Sequence, residues 1–175
     1  ANGMTLDAAF TIARELRERH DTPIYIMSYL NPIRAFGVDH ARETAADAGV
    51  SGFIIPDLTP DEACDLPLVY LAAPNATDER LRRVADSSAG WVYALGLEGV
   101  TGERASVAKN LRPFISRLRA VTKKPIAVGF GVSSREQFQE IGAIADGVVV
   151  GSAIVRRMAD SPERVGEFVS ELLSA

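Results

Sequence analysis

Lys124-Pro125-Ile126-Ala127-Val128-Gly129-Phe130-Gly131-Val132-Ser133 begins as a short apolar run and ends in two glycines and a serine. A run of that length, bounded by Pro and Gly, predicts a strand at 126–129 buried on both faces. The glycines then stand at its C-terminal end, where backbone N–H groups can approach an oxyanion with no Cβ in the way. The next apolar run, 147–150, closes on Gly151-Ser152-Ala153-Ile154. Gly-Ser there opens a helix whose free N–H groups and dipole favour an anion. Either cluster alone is ordinary turn chemistry. Two in succession, each at a strand's C-terminal end, match the way the last strands of a phosphate-binding (β/α)8 barrel hold their ligand.

Outward from this stretch, short apolar runs alternate with longer amphipathic segments, the pattern of βα units and a parallel sheet. Strands are predicted at 24–29, 52–55, 68–72, 91–95, 126–129 and 147–150. Most are apolar throughout, so both sheet faces are expected to be covered. Helices are predicted at 5–19, 38–48, 78–86, 107–121, 134–141 and from 152 onward, with a break at Ser161-Pro162. Thr5, Thr77 and Ser133 are the expected N-caps, Ser133 forming a capping box with Glu136, and Gly49 the expected C-terminal stop.

The fold class expected is α/β, a (β/α)8 TIM barrel of the ribulose-phosphate-binding type, with 1–175 as a single, partial domain. The chain enters on a helix and then makes six strands, two fewer than a closed barrel of about 250 residues. Residues 56–67 must also join two parallel strands, a link with room for one helical turn at most in place of a full helix. The barrel is therefore expected to lack its first two strands and most of the helix after the 52–55 strand. Ala1-Asn2-Gly3-Met4 has neither an initiator Met nor the features of a signal peptide, and the chain is expected to start in mid-gene.

Composition excludes several classes. Of 175 residues, 47% are hydrophobic and 24% charged, enough for a real core. The net charge of −4, with Lys and Arg dispersed among acids, leaves no basic stripe for nucleic acid. Cys64 is the only cysteine, so no internal disulfide forms and no metal-ligand spacing arises; a reducing cytoplasm fits. No apolar stretch approaches the roughly 20 residues that span a bilayer. His20 and His40 lie on polar helix faces and are expected to be solvated.

A third loop, Gly99-Val100-Thr101-Gly102, follows the 91–95 strand and has the small, polar make-up of a lid. Together with Pro56-Asp57-Leu58, with 73–81 (Ala-Pro-Asn-Ala-Thr-Asp-Glu-Arg-Leu), with Val128-Gly129-Phe130-Gly131-Val132 and with Gly151-Ser152-Ala153-Ile154-Val155, it forms an ordered set of five motifs. In that order the chain resembles the α subunit of tryptophan synthase, over residues 3–155. The resemblance implies retro-aldol cleavage of indole-3-glycerol phosphate to indole and glyceraldehyde 3-phosphate, with indole passing to a PLP-dependent β subunit in an assembly of two α and two β chains. No cofactor or metal is implied for this chain itself. It implies further that Gly102, Gly131, Gly151 and Ser152 hold the substrate phosphate and that Tyr93 and Phe130 border the indole. Tyr29, Ile54, Leu71 and Val149 match other pocket positions, though Ile54, Leu71 and Val149 also read as ordinary barrel core, and Tyr93 and Phe130 as caps on its packed layers. Gly99, Val100 and Thr101 match the lid. Asn31, Pro32, Asp57, Pro74 and Asn75 match the face that meets the β subunit, or else solvate turns.

Cleaving the C3 side chain from an indole requires proton transfer at C3, at the ring nitrogen and at the glycerol hydroxyl, work for two placed carboxylates. In the family these are a Glu and an Asp that lie upstream of the position matching Ala1. Asp57, Asp61, Glu62 and Glu98 are near the right face, but nothing in the sequence makes them substitutes. These 175 residues alone are therefore expected to be inactive. Two rival expectations remain: a non-catalytic phosphate-ligand module that biases a β subunit, and another sugar-phosphate isomerase or epimerase barrel.

Overall fold

Local capping and short buried strands build the chain into two compact units, Ala1–Leu71 with Ser87–Gly90, and Ala72–Asp86 with Trp91–Ala175. The computed structural model describes residues 3–62, 64–96, 107–129 and 131–174, and of 107–110 the backbone alone.

The first unit opens on α1 (Leu6–Arg17). The Thr5 hydroxyl accepts the Ala8 N–H at 3.2 Å, and Asp7 in the first turn and Arg17 in the last complement the helix dipole. α1 buries Phe10, whose ring meets Phe36 at 5.6 Å and Phe53 edge-on at 6.3 Å. β1 (Tyr25–Met27) and β2 (Gly52–Ile54) pair in parallel, Tyr25 opposite Gly52 and Met27 opposite Ile54.

Between them lie two helices, α2 (Leu30–Phe36) and α3 (Val38–Asp47). The first was not expected: Asn31-Pro32 reads as a loop. In the structure Pro32 falls within the first helical turn, where a missing N–H costs no intrahelical bond, and Leu30 and Ile33 bury one face. α3 ends as expected at Gly49, with φ +68°: the Val50 N–H bonds back to the Ala45 carbonyl at 2.9 Å and the Gly49 N–H to that of Ala46 at 3.1 Å. His40, expected to be merely solvated, is exposed yet stacks on the Phe36 ring at 4.7 Å.

The link after β2 contains no helix among its described residues; it is a chain of turns, including Leu58 N–H to Ile55 O at 3.1 Å and Glu62 N–H to Thr59 O at 3.0 Å. It still returns the chain in parallel, since the Phe53 N–H bonds to Pro67 O and the Val69 N–H to Phe53 O, both at 2.8 Å. The strand expected at 68–72 thus divides into a bridge at Leu68 and β3 (Leu71–Ala72).

The second unit continues with α4 (Asp78–Ser87), β4 (Val92–Leu95), α5 (Val107–Val121), β5 (Ile126–Gly129), α6 (Arg135–Gly142), β6 (Gly147–Val149) and α7 (Ser152–Asp160). A 3-10 turn (Pro162–Arg164) at the expected break leads to α8 (Val165–Leu173). The sheet order is β3-β4-β5-β6, with β4-β5 and β5-β6 parallel. Side chains of Val92, Ala94, Ile126 and Val128 share one face by the period of two, and each is fully buried. The opposite face carries Tyr93 and Gly129, both buried, and Ala127, Gly147 and Val149, half-buried; β6, at the end of this sheet, is half-buried along its length, Val148 of the first face included. Cover on both faces, expected from the apolar runs, is thus nearly complete at β4 and β5 and partial at β6. Ala153, Phe168 and Leu172 pack α7 on α8, with Phe138 of α6 against them.

One cap differs from expectation. Ser134, not Ser133, is the N-cap of α6, accepting the Gln137 N–H at 3.3 Å, while Gln137 Oε1 accepts the Ser133 N–H at 2.9 Å. Gln137 returns its bond to Ser133, one residue before the N-cap, so the box does not close on a single pair, and hydrogen bonding to its own N–H and to the Ser134 hydroxyl holds the Glu136 pKa down.

Candidate phosphate site

Strand register decides which loops share an edge. Gly129 lies opposite Val149, so β5 and β6 end level, and Gly131 and Gly151, each two residues farther on, leave from the same edge. Leu95 lies opposite Gly129 in turn, and the Gly96 N–H extends that pairing to the Gly129 carbonyl at 2.9 Å. Gly131 adopts φ +74°, a conformation costly for any residue with a Cβ, and nothing lies within 4 Å of where a Cβ would stand. α7 begins at Ser152 with Gly151 as an N-cap that offers no side-chain acceptor. Its first intrahelical bond is Val155 N–H to Gly151 O at 3.0 Å. The N–H groups of Ser152, Ala153 and Ile154 thus have no partner within the helix, and the dipole adds partial positive charge there. Gly131, Gly151 and Ser152 are all exposed. Phe130 and the loop residues Gly99, Val100, Thr101 and Gly102 lie outside the described residues.

Gly129 has a different part from Gly131. A Cβ built there would overlap the Tyr93 hydroxyl, stand 2.6 Å from Tyr93 Cζ and 2.8 Å from Val149 Cβ. Tyr93 and Val149 therefore converge over Gly129, beside the loops that carry Gly131 and Gly151. Tyr93 is buried, its ring 6.0 Å from that of Trp91, and burial raises its phenol pKa above the ordinary value.

The remaining sequence-predicted residues lie elsewhere in the chain. In the first unit Tyr29 is 65% exposed just after β1, whereas Ile54 is buried in β2. Leu71 is half-buried in β3. Asn31 and Pro32 are exposed, but on helix α2 and not on a loop. Pro32 also borders a largely apolar cavity of about 440 Å³ between α1, β1 and α2. Asp57, read as a partner-facing or turn-solvating residue, uses its Oδ1 to accept the Leu30 N–H at 2.9 Å.

Pro74 and Asn75 form a turn closed by Ala76 N–H to Ala73 O at 3.1 Å. Arg117 of α5 clamps this turn: its guanidinium donates to Pro74 O at 3.0 Å, to Ala76 O and to Asp78 Oδ1 at 2.8 Å. Nothing local marks Arg117 beyond a charge on a helix. Asp146 was also missed. Its Oδ2 accepts the Ile126 N–H at 2.7 Å and pairs with Arg119, tying the starts of β5 and β6 together. The Ile126 N–H, more than the Arg119 charge, holds its pKa down.

Of the acids weighed as stand-in catalysts, Asp57 is engaged with Leu30, and Glu62 accepts the Thr59 N–H at 3.2 Å in its own turn. Asp61 is exposed, and Glu98 lies outside the described residues. Burial raises the Cys64 thiol pKa, opposed by Arg34 and reinforced by Asp65. Among the described residues no three His, Cys, Asp or Glu side chains gather as metal ligands, and no helix is long and apolar enough to cross a membrane.

The family model described as tryptophan synthase alpha chain matches residues 1–174. The tryptophan synthase alpha chain of Dehalococcoides mccartyi is 40% identical over 98% of this chain and 71% of its own length. Tryptophan synthase of Saccharomyces cerevisiae is 44% identical over 93% of this chain, which spans 24% of that protein. Among solved structures, a chain of the Pyrococcus furiosus tryptophan synthase a2b2 complex superposes with a TM-score of 0.83 at 37% identity, covering 98% of this chain and 75% of that one. A chain of Mycobacterium tuberculosis tryptophan synthase in an aminoacrylate-bound form gives 0.85 at 32%, covering 97% and 68%. The parallel sheets and alternating helices described above follow the order of a (β/α)8 barrel.

Proposed function

The chain belongs to the tryptophan synthase alpha chain family, and on that premise we propose that it serves tryptophan biosynthesis as part of an α subunit, a lyase that splits indole-3-glycerol phosphate into indole and glyceraldehyde 3-phosphate. Residues 1–175 act as one partial barrel domain that supplies the binding half of the site. The observation that carries this is the level ending of β5 and β6, which sends Gly131 and Gly151-Ser152 out of one sheet edge beside an uncapped helix N-terminus. The N–H groups of Gly131, Gly151 and Ser152, with the Ser152 hydroxyl, take the substrate phosphate, joined by Gly102. Tyr93, Phe130 and Val149 border the indole, and Gly99, Val100 and Thr101 close over it; the family resemblance assigns substrate contact to Tyr29, Ile54 and Leu71 as well.

A phosphate anchor fixes the substrate without touching the scissile bond, so the proton transfers fall to other groups. The family's Glu and Asp have no counterpart within these residues, and residues 1–175 on their own do not turn over. Asn31, Pro32, Asp57, Pro74 and Asn75 meet the β subunit, whose PLP consumes the indole; this chain needs no cofactor. The setting is cytoplasmic.

Titration with indole-propanol phosphate and with ribulose 5-phosphate tests the substrate class. Preferential binding of the indole compound is expected, and preference for ribulose 5-phosphate overturns the assignment. Indole release from indole-3-glycerol phosphate by residues 1–175 alone would overturn the division into binding and catalytic halves.

A further inference from the structure

A helix start normally draws its cap from its own flanking residues, and α2 does not. Its N-cap position is Tyr29, whose side chain accepts no backbone hydrogen bond, and Pro32 in the first turn has no N–H to offer. Of the donors left in the first turn, those of Leu30 and Asn31, the Leu30 N–H is taken by Asp57 Oδ1 at 2.9 Å, from the loop after β2 and across 27 residues of sequence. A second tie joins the same two segments, since the Ser28 N–H bonds to Ile54 O at 3.1 Å. The backbone between these ties is short. It carries Tyr29, 65% exposed, and leads straight into Asn31 and Pro32, also exposed.

We propose that Asp57 is a positioning residue: by capping α2 from the neighbouring strand's loop, its carboxylate fixes the backbone at 28–32 and so couples the pocket aromatic Tyr29 to the partner-facing Asn31-Pro32. A carboxylate at a helix N-terminus gains from both the N–H groups and the dipole, so this cap holds more firmly than a neutral one. With the cap gone, the start of α2 frays into extra conformers, and only the bound geometry is productive. Pocket and docking surface then weaken together, because one piece of backbone serves both. An Asp acting only as a surface contact with the partner has no such double effect. The proposal rests on the assignment of Tyr29 and Asn31-Pro32 made under Proposed function.

The test uses Asp57→Ala and Asp57→Asn in the α chain that carries these residues, complexed with its β partner. Asn keeps an oxygen that can accept the Leu30 N–H; Ala does not. Loss of a cap is expected to change affinity about 5- to 10-fold. Asp57→Ala therefore raises KM for indole-3-glycerol phosphate and Kd for the β subunit by about that factor each, and Asp57→Asn restores most of both. Inorganic phosphate binding stays at the wild-type value in both variants. A Kd change in Asp57→Ala without a KM change overturns the coupling, and equal damage from Asn and Ala overturns the capping role. Hydrogen exchange at the Leu30 amide separates this proposal from the function: faster exchange in Asp57→Ala, with the rate restored in Asp57→Asn, is expected whatever substrate the wild-type protein cleaves. Unchanged Leu30 exchange refutes the cap, whereas a wild type inert toward indole-3-glycerol phosphate refutes the function instead.

Discussion

Gly129→Ala is the sharpest probe of the sheet beneath the phosphate loops. The added methyl carbon would overlap the Tyr93 hydroxyl and lie 2.6 Å from Tyr93 Cζ and 2.8 Å from Val149 Cβ, all well inside van der Waals contact. Val149 is the register partner of Gly129 and cannot retreat without breaking the β5-β6 ladder. Relief must come from Tyr93, which is buried and packed beside Trp91. Forcing one carbon into such a site costs about 1–3 kcal/mol. With a urea slope of about 2 kcal/mol per M for a domain of this size, 2 kcal/mol lowers the unfolding midpoint by about 1 M. A double-mutant cycle isolates the cause. Tyr93→Ala vacates the overlapping volume, so adding it to Gly129→Ala returns part of the loss as a coupling of about 1–2 kcal/mol. Urea unfolding of wild type, both single variants and the double variant measures it. A Gly129→Ala midpoint within error of wild type, or strictly additive effects, refutes the packing account.

Gly131→Ala should behave in the opposite way. Nothing lies within 4 Å of the new Cβ, so the penalty is the positive φ alone, about 1 kcal/mol, and Tyr93→Ala does not relieve it. Inorganic phosphate affinity, measured by calorimetry, falls about tenfold, because the N–H groups of this turn no longer hold their aim. Asp146→Asn tests the pH dependence. The folded carboxyl has a pKa below its unfolded value, so its stabilisation is present above the unfolded pKa and is lost as pH falls through the folded one. Because the side chain is 43% exposed, the charge contributes about 1 kcal/mol after allowance for screening. Wild type should exceed Asp146→Asn by that amount in urea unfolding at pH 7 and converge with it in acid; a gap unchanged across the range rejects the linkage.

Most strands were legible because a strand in a parallel sheet is a short apolar run closed by Gly or Pro. The run at 126–129 is observed with those bounds, and 147–150 and 91–95 each lose one residue at an end. Helix α2 was not legible, since its sequence carries a loop signal in Asn31-Pro32 and its cap lies 27 residues away. The parallel pairing of Leu68 with Phe53 follows the expected strands, but the break of 68–72 into a bridge and a two-residue strand depends on where the turns of 56–67 deliver the chain, which no local pattern states. Arg117 and Asp146 look like solvated charges in sequence. Their roles appear only when folding brings the carbonyls of Pro74 and Ala76, or the N–H of Ile126, within reach.

The two glycines that flank Phe130 look equivalent in sequence, and the structure separates them. A binding site built from backbone N–H groups leaves its mark as a missing Cβ, and so does tight packing, which is why Gly129-Phe130-Gly131 reads as one cradle. Around Gly129 the missing Cβ leaves space that Tyr93 and Val149 fill, with φ in no unusual region; around Gly131 the backbone is left-handed and the space is open. A glycine kept for packing has neighbours where its side chain would be. One kept for a ligand has room there, because the ligand must come in. By that criterion Gly131 is the glycine left open to a ligand, and Gly129 is kept for packing, leaving room for the Tyr93 phenol and Val149 at the end of β5.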